Sequence, residues 1–256
     1  MDIFGKVVVV TGGAGGIGGA LAQRFKTEGA SRVIIIDKDE RQITSVAAEV
    51  EAIGMVCDVT SESSVRQTIL DIQKAYGEID IFCSNAGVFS AGDENASNDE
   101  WQLNWDVHVM AHVYAARELA PKMAARGEGY LVNTASAAGV LTHINSATYS
   151  VSKHATVAFA EWLAITYGNR GVKVSVLCPQ AVRTKMILGS ETNAASVDGI
   201  IEPEILANAV VEAIKKDEFF IFPHEEVREY LRRKALQPER WLAGMRRFRD
   251  RMLIQQ

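Results

Sequence analysis

A chain of 256 residues that is 48% hydrophobic can bury a large core, and one α/β domain is the first expectation. Its formal charge of −5 argues against general nucleic-acid binding, which needs clustered Lys and Arg to displace counterions from phosphates. Cys57, Cys83 and Cys178 are odd in number and sit in apolar runs, which excludes a disulfide framework and points to a reducing, cytoplasmic compartment. No apolar run approaches the roughly 20 residues of a membrane span, and the first residues lack the basic-then-apolar pattern of a secretory signal. No membrane partner is expected.

Short β-branched runs at 7–10, 33–36, 55–57, 79–82, 130–132, 172–177 and 219–222 alternate with amphipathic stretches. Such runs predict buried parallel strands joined by helices. Right-handed crossovers then give a Rossmann-type doubly wound sheet of about seven strands, with its ligand crevice beyond their carboxyl ends. Between the first two strands Ile17, Leu21 and Phe25 fall at helical spacing, and Gly29 marks the stop.

Directly after the first strand stands Thr11-Gly12-Gly13-Ala14-Gly15-Gly16-Ile17-Gly18. It satisfies G-x-G-x-x-G through Gly13, Gly15 and Gly18, and T-G-x-x-x-G-x-G through Thr11, Gly12, Gly16 and Gly18. A glycine pattern alone also fits a flexible loop. Between a strand and an amphipathic helix it fits a turn where a pyrophosphate meets backbone N–H groups and the helix dipole. Asp37 ends the second strand, where a carboxylate accepts hydrogen bonds from ribose hydroxyls and repels a 2′-phosphate. NAD is therefore the expected cofactor, although Lys38 leaves NADP open.

Further along come Asp58-Val59, Asn85-Ala86-Gly87, Asn133-Thr134-Ala135-Ser136 and Tyr149-Ser150-Val151-Ser152-Lys153. With the glycine turn, in this order, these motifs make the chain resemble the short-chain dehydrogenase/reductase family over nearly its whole length. The resemblance implies hydride transfer between nicotinamide and a secondary alcohol or ketone. Tyr149 is then the acid/base, Ser136 bonds the substrate oxygen, and Lys153 grips the nicotinamide ribose. A tyrosine of pKa about 10 is a poor base at neutrality, and a cation one helical turn away favours its phenolate. Without Ser136 and the glycine turn, a core aromatic and a surface lysine one turn apart would be the preferred reading of Tyr149 and Lys153. The resemblance further implies that Thr11, Gly12, Gly16, Ile17, Gly18 and Pro179 contact the cofactor. Asp58 and Val59 would hold the adenine, Asn85, Ala86 and Gly87 the central part, and Thr184 the carboxamide.

Two positions depart from the family. Pro179-Gln180 stands where Pro-Gly is usual, so that Gln180 brings a side chain toward the nicotinamide or substrate. His108 stands where an asparagine supports a water relay to the lysine. It is either a relay group with its own pH response or a space filler, and both readings stay open. His108 and His112 have zinc-binding spacing but no third ligand, so no metal is expected.

Segments 88–92, 137–146 and 180–188 are the expected substrate walls, offering Val88, Phe89, Val140, Leu141, Ile144, Met186, Ile187 and Leu188, with His143 beside them. A small apolar alcohol or ketone is the expected partner. The chain divides into a catalytic domain, 1–223, and a helical extension, 224–256, with a break at Pro238. Nine Lys/Arg against five Asp/Glu make that extension +4 and leave −9 for the rest. It reads first as helices packed on their own domain, then as a lid over the substrate pocket or a subunit contact, and last as a membrane-surface helix. A homo-oligomer, dimer or tetramer, is expected. The rivals are an NADP-dependent carbonyl reductase and a scaffold or redox sensor of the same fold without turnover.

Overall fold

The computed structural model describes residues 1–187 and 194–254. Leu188, expected in a substrate wall, lies outside the described residues. Strands β1 (Val7–Thr11), β2 (Arg32–Asp37), β3 (Ile53–Val56), β4 (Ile81–Ser84), β5 (Gly129–Thr134), β6 (Val172–Leu177) and β7 (Phe220–Ile221) form one sheet in the order β3-β2-β1-β4-β5-β6-β7. All pairs are parallel. This is the doubly wound Rossmann-type sheet the sequence predicts. Its order reverses between β1 and β4, where the crevice opens.

Helices α1 (Gly16–Thr27), α2 (Glu40–Glu49), α3 (Glu62–Tyr76), α4 (Asn98–Trp105), α5 (Ala111–Arg126), α6 (Ala138–Leu141), α7 (Ala147–Tyr167) and α8 (Pro203–Lys216) connect them. Alternation along β1 shows the two layers: Val7 and Val9 join the core with α3, α5 and α7, while Val8 and Val10 join the core with α1, α2 and α8. Each fully buried residue of this size contributes roughly 1.5–3 kcal/mol. The run at 79–82 gives β4 from Ile81, and Asp80 ties its start to both neighbours: its N–H donates to the Val7 carbonyl at 3.0 Å, its carboxylate accepts the Val7 N–H at 2.9 Å and its carbonyl the Tyr130 N–H at 2.8 Å.

The extension forms α9 (Glu226–Leu236) and α10 (Pro238–Ile254), with Pro238 opening the second helix as its fixed φ allows. Val227 is fully buried in the main core, and Lys234 Nζ donates to the Val140 carbonyl at 2.6 Å. Val140 is thereby a core residue, not the pocket wall the sequence suggested.

The turn between β1 and α1 leaves no room for a side chain at Gly18, where a Cβ would strike the Gly12 carbonyl oxygen. Gly18→Ala is expected to destabilise the protein by about 1–3 kcal/mol through this overpacking, read as a shift in the denaturant midpoint, and to weaken nucleotide binding with it.

Candidate active site

The crevice beyond β1 and β4 has a volume of about 460 Å3. Gly12, Gly16, Ile17, Gly18, Asp37, Asn85, Ala86, Gly87, Tyr149, Lys153, Pro179 and Thr184 all line it. Gly12 has φ +65, and a Cβ there would lie 2.8 Å from Ala86 Cα, so only glycine lets the two loops close. The Asp37 carboxylate sits at the β2 end of the crevice and accepts the Ala14 and Asp39 N–H groups, each at 3.2 Å. A cleft with backbone N–H groups at a helix start and a carboxylate at one end fits an adenine dinucleotide.

Three expected cofactor residues stand elsewhere. Thr11 is buried, and its hydroxyl accepts the Asn85 N–H at 2.9 Å and the Ala86 N–H at 3.0 Å, so it shapes the crevice from behind. Asp58 is exposed and accepts the Thr60 N–H at 2.9 Å and hydroxyl at 2.7 Å. Val59 faces a small cavity behind the crevice, shared with Thr11 and Ala86. Val88, expected in the substrate wall, lines the crevice instead.

Tyr149 and Lys153 lie on one face of α7, whose start is fixed by Ser146 Oγ accepting the Tyr149 N–H at 3.2 Å. Lys153 is buried, its Nζ donating to the Thr134 carbonyl at 2.9 Å and lying 5.7 Å from the Tyr149 ring centre. Burial lowers the Lys153 pKa to about 7. Burial raises that of Tyr149 above the ordinary phenol, opposed by a hydrogen bond with Ser136. The lowering expected from Lys153 is thus not the dominant influence. Removing the phenolate from water costs more than a partly neutral amine returns.

His108 lies in a π-helical turn, Asp106–Met110, and is fully buried, lining neither the crevice nor the substrate pocket. Val88 N–H donates to Nε2 at 3.2 Å, so the neutral ring carries its proton on Nδ1, which meets Ser152 Oγ at 2.9 Å. The Ser152 hydroxyl donates to the Tyr149 carbonyl at 3.1 Å. The carbonyl of His108 accepts the Thr156 hydroxyl at 2.7 Å. The sequence offered His108 either as a catalytic relay group or as a space filler; both its nitrogens are engaged within the protein, and its ring packs edge-on against Tyr149 at 5.3 Å. The neighbouring His112 is turned to Asn133 Oδ1, 2.9 Å from its Nδ1. Among the described residues no three His, Cys, Asp or Glu side chains are grouped to hold a metal ion.

Ser136, Tyr149, Gln180, Met186 and Ile187 form the boundary between the crevice and a second, apolar pocket of about 180 Å3. Phe89, Leu141, His143 and Ile144 line that pocket as expected, and His143 Nδ1 accepts the Asn145 N–H at 3.2 Å. Its outer wall is Tyr230, Met245 and Phe248, from α9 and α10. The extension therefore packs on the domain and also encloses the pocket, joining two readings the sequence kept apart. Gln180 Nε2 donates to Asp198 at 2.9 Å, and the Tyr230 hydroxyl donates to the same carboxylate at 2.9 Å. Asp198 gave no sequence signal, being a lone acid in a turn.

Residues 6–194 match the short chain dehydrogenase family. The chain is 34% identical over 242 residues to 1-deoxy-11-beta-hydroxypentalenate dehydrogenase of Streptomyces exfoliatus, covering 91% of this chain and 88% of that one. It is 33% identical over 187 residues to 3beta-hydroxysteroid dehydrogenase of Mediterraneibacter gnavus, covering 71% and 67%. A short-chain dehydrogenase/reductase of Burkholderia phymatum in complex with NAD superposes with a TM-score of 0.84 at 27% identity, over 93% of this chain and 96% of that one. L-sorbose reductase of Gluconobacter frateurii, complexed with NADPH and L-sorbose, gives 0.79 at 26% identity, over 87% and 97%. The chain belongs to the short-chain dehydrogenase/reductase family. Its relatives are named dehydrogenases, which puts it among oxidoreductases of CH–OH groups.

The buried histidines set a pH response. Burial pushes the pKa of His108 far below the usual imidazole, with Lys153 adding to it, and lowers that of His112 to about 4. The unfolded chain, with histidines near 6.5, then takes up protons that the folded chain refuses, so stability falls as pH drops below about 6.5. Each is expected to withdraw about 2 kcal/mol between about pH 7 and about pH 5, and denaturant unfolding of His112→Asn should show a shallower loss over that range.

Proposed function

We propose that this chain is an NAD-preferring dehydrogenase/reductase for a hydrophobic secondary alcohol and its ketone, with Tyr149 as acid/base. The observation that carries the reading is the shared boundary: Ser136 and Tyr149 line both the nucleotide crevice and an apolar pocket with no Lys, Arg, Asp or Glu among its described lining residues. Relatives named for a hydroxypentalenate and a hydroxysteroid support an apolar substrate body. The bound nicotinamide supplies the hydride acceptor or donor.

The chain's own residues position the substrate and move its proton. Ser136 Oγ, fixed by the Ala138 N–H at 3.1 Å, orients the substrate oxygen. Tyr149 takes the hydroxyl proton in oxidation and returns it in reduction. Its burial-raised pKa keeps the free enzyme's hydroxyl protonated at neutrality, ready to donate to a ketone. Alcohol oxidation therefore gains from rising pH. Lys153, its pKa lowered to about 7, exchanges its proton in the same range and holds the Thr134 end of β5 against α7. His108 is a positioning residue: it ties the loop at Val88 to Ser152 and buttresses the Tyr149 ring. An expected homo-oligomer is supported by exposed Val151, Trp162 and Ile165 along the outer face of α7.

Asp37 supports NAD. NADP remains the second reading because Lys38 and Lys185 also line the crevice. In a coenzyme titration followed by calorimetry, NAD is expected to bind at least about tenfold more tightly than NADP, and Asp37→Ala to narrow the difference. Equal affinities in the unmodified protein would reverse the assignment. Tyr149→Phe, assayed with NAD and a panel of hydrophobic secondary alcohols, is expected to lower kcat by at least about 100-fold with NAD affinity little changed. Substantial residual turnover would move the acid/base role, with His143 the next candidate.

A further inference from the structure

Helices α9 and α10 enclose a cleft of about 450 Å3, distinct from the nucleotide crevice. Arg232 and Arg233 of α9 and Arg240 and Arg247 of α10 border it, with Glu229 the single carboxylate among the described lining residues. Four cations against one anion leave a local charge of +3. Glu229 is already engaged, accepting Arg232 Nε and Arg233 Nε at 2.8 Å each. Arg240 donates to the neutral amide of Gln237 at 3.2 Å. Arg247 has no carboxylate partner among the described residues, and its guanidinium lies beside Gly244.

Tyr230 and Met245 line this cleft and the apolar substrate pocket together, so the two spaces share a wall. Tyr230 is held in place by its 2.9 Å bond to Asp198. Met245 has no such tie, and its unbranched side chain can yield. An anionic group left inside the apolar pocket would be unpaired and costly. Beyond Met245 it meets guanidinium forks suited to carboxylate and phosphate oxygens.

We propose that the cleft between α9 and α10 binds the anionic end, carboxylate or phosphate, of a substrate whose alcohol lies at Tyr149 and whose apolar body fills the pocket. This rests on the alcohol-oxidoreductase reading and adds a distal recognition site to it. A separate small anion would use the same chemistry, and the experiment distinguishes the two sources.

The test uses the full-length protein with NAD and a matched pair: a long-chain secondary alcohol and the hydroxy acid carrying the same alcohol and a terminal carboxylate. The acid is expected to show a KM about tenfold below that of the neutral alcohol, and that advantage should shrink as salt rises from about 0.05 to about 0.5 M. Inorganic phosphate should compete with the acid and not with the alcohol. In the double variant Arg240→Ala, Arg247→Ala the ratio of the two KM values should approach one. Calorimetry of both compounds with the unmodified protein supplies a readout independent of turnover. Turnover of neither compound would sink the alcohol reading, while tighter calorimetric binding of the acid would still uphold the cleft. An acid that binds no tighter than the alcohol, or whose advantage survives both substitutions, overturns the proposal. Phosphate that binds without competing with the acid overturns it too, by assigning the cleft to a separate anion.

Discussion

The Thr11 hydroxyl accepts hydrogen bonds from two successive backbone N–H groups, Asn85 and Ala86, and so fixes the loop after β4 against the end of β1. Those groups lie past the end of β4, whose pairing with β1 stops at Val10 and Cys83, so a side chain satisfies them in place of the ladder. From there one network crosses the carboxyl ends of the strands. Asn85 Oδ1 accepts the Thr134 hydroxyl at 3.3 Å, and the Thr134 carbonyl accepts Lys153 at 2.9 Å. The floor of the crevice and the buried lysine are thus parts of one hydrogen-bonded frame.

Around that frame, desolvation outweighs the local charge pairs. Lys153, Tyr149, His108 and His112 are all pushed toward their neutral forms, and burial is the leading cause in each. His108 shows how burial holds a titratable ring in its neutral form. Its ring accepts one bond and donates another in a single tautomer, and taking up a proton would cost the Val88 bond while adding a charge beside Lys153.

The C-terminal helices complete the substrate side. They are anchored by Val227 in the core and by Lys234 on the Val140 carbonyl, while Tyr230, Met245 and Phe248 close the apolar pocket. Four of their arginines, Arg232, Arg233, Arg240 and Arg247, border the cleft between α9 and α10 and not that pocket. One hairpin thereby offers an apolar face inward and a cationic face outward.

The sequence by itself determined the buried strand runs, the glycine turn, Asp37 at the end of β2 and the one-turn spacing of Tyr149 and Lys153. These are legible because each depends on spacing within one strand, turn or helix, where geometry follows directly from residue separation. Tertiary structure alone decided which side of the crevice wall a residue occupies: Thr11 behind it, Asp58 outside it, Val88 on the nucleotide side. It also decided that His108 is enclosed and that Tyr230, Met245 and Phe248 reach the pocket. The Val88 bond to His108 spans 20 positions, and the Lys234 bond to Val140 spans 94. At such separations the chain topology sets the contact, and the pattern of neighbouring residues carries no record of it.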